Sequence, residues 1–103
     1  MDDVIINKLS LLDKYIERIQ AVHGDDFLTN QVAQDVATIN LIRSCEVCLD
    51  VGLRLISIMN LSIPQNNKDV FVILGKKSLI PESLSLKLQK MAGFRNIAIH
   101  EYD

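Results

Sequence analysis

The stretch TNQVAQDVATINLIRSCEVCLDVGLRLISIM, residues 29–59, decides the fold. It holds no proline and one glycine, Gly52, and is far longer than a strand, so it reads as a single helix. Its apolar residues Val32, Val36, Ile39, Ile42, Val47, Leu49, Val51, Leu53, Leu55, Ile56 and Ile58 surround nearly the whole circumference. Such a rod must be covered on several sides. Its charges are not scattered: Arg43, Glu46, Asp50 and Arg54 step by three, four and four residues and form one polar line. That line either faces water as an ion-pair ladder or walls a cleft.

Outward from this rod, residues 2–23 place Ile5, Leu9, Leu12, Ile16 and Ile19 at alternating spacings of four and three. Lys8, Asp13, Lys14, Glu17 and Arg18 fill other positions, the pattern of an amphipathic helix. Asp2 or Asp3 can cap it, His23 reads as a residue of its C-terminal end, and Gly24 is the expected left-handed residue that stops it. Residues 60–67, with Pro64, read as a loop, and residues 69–74 as a short helix or strand-like run stopped by Gly75. Pro81 suits the first position of a last long helix carrying Leu84, Leu86, Leu88 and Met91, with Gly93 as a weak point before Phe94, Ile97 and Ala98. The expectation is an all-α bundle of four to five helices, the first, second and last being long.

The 103 residues fit one domain spanning residues 1–103. With 49% hydrophobic and 5% aromatic residues and no Trp, the composition suits helices of Leu, Ile and Val. A net charge of −2 argues against a surface that grips nucleic acid all over, while leaving room for a local basic cleft. The chain opens Met-Asp-Asp with no basic, then apolar, leader, and no apolar run is long enough to span a bilayer, so a soluble cytoplasmic protein is expected, with no membrane partner. Cys45 and Cys48 form a lone C-x-x-C without a second ligand pair and are expected as reduced thiols packed in the core rather than a zinc site.

The densest polar chemistry lies in Phe94-Arg95-Asn96-Ile97-Ala98-Ile99-His100-Glu101-Tyr102. Arg95 offers a forked, permanently charged donor suited to a phosphodiester, and His100 a group that exchanges protons near neutrality. On a straight helix these two lie about 140° apart, whereas Asn96 and His100 share a face. One helix alone therefore does not converge them, and two copies meeting at a two-fold axis would. Glu46 and Asp50 are candidates to orient Arg95 or His100 from the neighbouring helix. The plainer reading is that an Arg and a His close to a helix C-terminus simply complement its dipole.

The F-R-N-I-A-I-H-E-Y run, together with Pro81, Leu84, Leu88 and the Arg43-x-x-Glu46-x-x-x-Asp50 helix, resembles the HEPN superfamily of all-α toxins and nucleases, in particular its HepT-like branch. The resemblance covers essentially the whole chain and rests on R-x4-H at Arg95 and His100 and on H-x-Y at His100 and Tyr102. It implies a homodimeric HEPN-like bundle and a metal-independent ribonuclease toxin that uses no cofactor, with Arg95 and His100 catalytic, Asn96, Glu46 and Asp50 supporting. It also implies a minimal nucleotidyltransferase antitoxin that transfers AMP to Tyr102. The sequence departs from the family pattern by stopping at Asp103, where relatives usually continue for about one further helix. The alternative is a non-catalytic helical module that binds a nucleotidyltransferase partner. An enzyme predicts an open, electropositive groove at the motif, and the module predicts a buried, already paired His100.

Overall fold

The computed structural model describes residues 2–102, with side chains through residue 101. Among the described residues four α-helices follow one another, α1 Asp3–Ala21, α2 Gln31–Ile58, α3 Asn67–Lys76 and α4 Glu82–Tyr102, with one 3-10 turn at Phe27–Thr29. At 1.5 Å per residue α2 is about 42 Å long, nearly the 46 Å long axis of the molecule. Among the described residues no helix is long and apolar enough to cross a membrane.

Side chains begin three of the helices. Asp2 accepts the Ile5 amide at 3.1 Å, Asn30 the Ala33 amide at 3.0 Å and Asn66 the Asp69 amide at 2.9 Å. Pro81 sits one position ahead of α4, its carbonyl accepting the Ser85 amide at 3.0 Å. The helix ends differ from expectation. Gly24 does not stop α1, since no described glycine has positive φ, and Val22 ends it at φ −102°.

The run at residues 69–74 is helical and extends in both directions, taking in Asn67 from the expected loop and Gly75 from the expected stop. Ser78, at φ 56°, ends it: its amide bonds to the Gly75 carbonyl and that of Leu79 to the Leu74 carbonyl, both at 3.0 Å. Asn60, at φ 55°, closes α2 in the same manner through the Leu61 amide and the Ile56 carbonyl. Asn tolerates this left-handed conformation; Ser does so less readily.

Leu49 and Ile56 of α2, Val70, Phe71, Ile73 and Leu74 of α3, and Ala92 of α4 form the core. Two glycines let the helices approach. A Cβ on Gly52 would lie 2.6 Å from Val70 Cγ1, and one on Gly75 would lie 2.7 Å from Ser85 Oγ. Gly93 has no such role, and α4 runs through it unbroken. The covering that α2 demands is incomplete within one chain: Val32, Ile39, Leu41, Leu53 and Ile58 remain exposed.

The polar line on α2 is not a ladder. Each of its charges reaches another helix: Arg43 lies over the Tyr15 ring at 6.0 Å, Glu46 meets Arg95, Asp50 binds Lys8 at 2.9 Å and Arg54 binds Asp2 at 2.9 Å. Steps of three and four kept the four residues on one stripe, but α1 and α4 flank that stripe and offer partners closer in geometry than the next turn.

Candidate functional site

Arg95 lies on α4 where that helix passes α2 and the first turn of α3. Its Nη2 donates to Glu46 Oε1 at 3.4 Å and its Nη1 to Asn96 Oδ1 at 3.4 Å, while Nε is buried without a hydrogen-bond partner among the described residues. Asn96 Oδ1 also accepts from Asn67 Nδ2 at 3.3 Å. The local sequence puts Asn67 there: Asn66 caps α3, and Asp69 turns back to accept the Gln65 amide at 2.9 Å. This fixes the first helical residue against α4.

A cleft of about 380 Å³ opens beside the guanidinium, lined by Glu46, Leu49, Asp50, Leu53, Asn67 and Arg95. A second hollow, of about 490 Å³, lies beyond Asn96 and is lined also by Lys68, Asp69 and Gln89. Asn67 and Asn96, hydrogen-bonded to each other, line one hollow each.

Of the residues singled out in the sequence, Arg95, Asn96 and Glu46 are in direct contact, and Asp50 shares their cleft. His100 stands apart. It is exposed, and among the described residues none hydrogen-bonds to its side chain, in keeping with the 140° between it and Arg95. Tyr102 is the last residue of α4, and its side chain lies outside the described residues. The groove is open but not electropositive, because Glu46 and Asp50 set two carboxylates against one arginine. Lys8, held by Asp50 and with its ammonium favoured by that partner, restores part of the balance at the rim.

His100 is exposed, where the interaction-module reading expects it buried. Among the described residues no three His, Cys, Asp or Glu side chains gather to hold a metal ion.

Sequence alone does not mark Asn67, because residues 60–67 read as a loop. Its signal was the Asn66-Asn67-Lys68-Asp69 run, a capping residue followed three positions later by a carboxylate.

Cys45 and Cys48 are both free thiols. Burial, and then the neighbouring Cys48, push Cys45 up to about 11, and burial raises Cys48 as well. Neither has the electropositive setting of a reactive thiolate. His23 is exposed beyond the end of α1, its ring 6.1 Å from that of Phe27.

Residues 8–103 match the family model described as Ribonuclease HepT-like. The chain is 42% identical to the mRNA nuclease HepT of Shewanella oneidensis, covering 99% of this chain and 78% of that protein. It is 23% identical to the tRNA nuclease HepT of Aphanizomenon flos-aquae, covering 97% and 70%. A solved structure of a tri-AMPylated Shewanella oneidensis HEPN toxin in complex with MNT antitoxin superposes with a TM-score of 0.93 at 42% identity, covering 100% of this chain and 79% of that one. A crystal structure of a toxin–antitoxin with AMP-PNP gives 0.92 at 42% identity, covering 96% and 76%.

Proposed function

The chain belongs to the ribonuclease HepT-like family, and from that premise we propose that it is the RNA-cleaving toxin of a toxin–antitoxin pair, working as a homodimer and silenced by AMP transferred to Tyr102. The observation that carries this reading is the placement of Arg95 in an open cleft, with His100 exposed about 140° round α4 from it. A second copy would bring His100 of the partner subunit towards Arg95, and the exposed Ile39, Leu41, Phe94 and Ile97 offer apolar surface for that pairing.

The chemistry follows from the two side chains. A neutral imidazole at His100 takes the proton of a ribose 2′-hydroxyl, and the freed oxygen attacks the adjacent phosphorus. The bond from phosphorus to the 5′-oxygen breaks, and a protonated imidazole, His100 of the partner subunit, returns a proton to that leaving oxygen. A cyclic phosphate and a 5′-hydroxyl result. Arg95 stabilises the charge that grows on the non-bridging oxygens, with two donors aimed at one phosphate. Glu46 opposes substrate in the resting chain by occupying the same guanidinium. No step in this scheme calls on a metal or a cofactor.

Tyr102 follows Arg95 by seven residues, nearly two helical turns, and so falls on almost the same face of α4. AMP on that residue would bring a phosphate to the arginine and fill the groove with a purine. Purified protein incubated with RNA tests the reading directly. Cleavage should persist in chelator and fall about 10²–10⁴-fold in His100→Ala. Intact mass after co-expression with a minimal nucleotidyltransferase should rise by AMP-sized steps that disappear in Tyr102→Phe. A chain that binds the nucleotidyltransferase, gains no mass and cleaves nothing would be an interaction module instead.

A further inference from the structure

We propose that Asn67 is a positioning residue for Arg95, acting through Asn96; the catalytic side of this inference rests on the ribonuclease reading above. Three observations support it. Asn96 Oδ1 is shared by two donors, Asn67 Nδ2 at 3.3 Å and Arg95 Nη1 at 3.4 Å, so the amide of α3 fixes which way the Asn96 amide faces. With Asn67 donating, Asn96 must present its oxygen, the only orientation that also accepts from a guanidinium. The other end of the fork is held by Glu46, and Nε is buried with no partner, so Nη1 and Nη2 alone set the plane of the group.

Asn67 is itself held in place. It is the first residue of α3, pinned by the Asn66 cap and by Asp69, and α3 is locked to α4 through Gly75 and Ser85. Asn67 also lines the cleft that Arg95 opens into. The bonds are long, as catalytic hydrogen bonds often are before substrate arrives, and would tighten when a phosphate draws the guanidinium forward.

The informative variant is Asn67→Asp. A carboxylate in the first turn of a helix favours its dipole, so α3 should be no less stable. The donor to Asn96 is nonetheless gone, and the arginine acquires a competing anion. RNA cleavage by Asn67→Asp and by Asn67→Ala should be about tenfold slower, the loss equivalent to one hydrogen bond. For Asn67→Ala the fall should lie in kcat rather than KM, while Asn67→Asp should also raise KM through its competing anion and leave the melting temperature unchanged. In an Arg95→Lys background the same substitution should cost no further activity.

A second readout does not depend on catalysis. The Arg95 Nη nitrogens should give separate NMR signals in the parent protein, because rotation about Nε–Cζ is restrained, and exchange-averaged signals in Asn67→Ala. If both variants cleave at the parent rate and the Nη signals do not change, the proposal is wrong. If the parent itself cleaves no RNA, the ribonuclease reading fails, and the Nη signals still decide whether Asn67 positions Arg95.

Discussion

The two sides of α2 are held in different ways. Against α3 and α4 it makes a dry core, with Val70, Phe71 and Ala92 essentially inaccessible and Gly52 allowing α3 to approach closely. Against α1 it makes a wetter seam: no residue of α1 is fully buried, and Asp2, Lys8 and Tyr15 tie it down through Arg54, Asp50 and Arg43. The lesson is that the candidate site is built on the rigid side. Arg95, Asn96 and Asn67 stand on the two helices that the core fixes, while α1 reaches the cleft through the Lys8–Asp50 pair.

The sharpest way to break this contrast is to cut into each side. Phe71→Ala should cost about 3–5 kcal/mol, because it empties a fully enclosed site, and calorimetry should show a large fall in melting temperature. Leu9→Ala, on a residue of α1 that is 45% exposed, should cost about 1 kcal/mol or less. Equal losses would mean that α1 is as much a part of the core as α3.

Glycines give a finer test of the same difference. Gly52→Ala forces a Cβ to within 2.6 Å of Val70, an overpacking worth about 1–3 kcal/mol of destabilisation. Gly93→Ala meets nothing within 4 Å and should stabilise the isolated chain by about 0.5–1 kcal/mol, since alanine is the better helix former. Thermal melts of the two variants should move in opposite directions.

The fold was legible where hydrophobic period and capping residues spoke together. Residues 29–59 and the last helix came out within a few positions of α2 and α4, and Asp2 capped α1 as expected. Ends were less legible. Gly24 and Gly75 looked like stops, yet Asn60 and Ser78 take the left-handed positions, because what closes a helix is the chain's path to its next packing partner rather than the nearest glycine. In the site, Arg95 and Asn96 were visible as a motif and Glu46 as a stripe. Asn67 was not, since its place depends on α3 docking across α4, 29 residues away in sequence. The polar stripe on α2 could be read from spacing, but its partners on α1 and α4 could not.

The smallest expected effect belongs to the α1 seam. Arg54 holds the Asp2 carboxyl below its ordinary value of 3.8, so that pair adds stability above this pH and loses it as the solution becomes more acid. Asp50 raises Lys8 above 10.5, so its contribution is complete below that pH and disappears as pH climbs through the raised value. Both pairs are exposed, so Arg54→Ala and Lys8→Ala should shift the melting temperature only slightly, and molar salt should erase the difference. A salt-resistant effect would show the seam to be drier than its exposure indicates.

The contact between Arg95 and Glu46 joins residues 49 positions apart, and this has a consequence in time. α1 packs along α2 and α3 along α4, so each half of the chain can form as a local helical hairpin soon after its residues meet. The Arg95–Glu46 pair exists only once the two hairpins have docked. It therefore forms in the same docking step as the core that α2 shares with α3 and α4, and is lost with that core when the halves part. Parting the halves would disarm the arginine while leaving the amide bonds of every helix intact, and would bare Phe71 in the same step, so loss of the site and opening of the core should be recorded together.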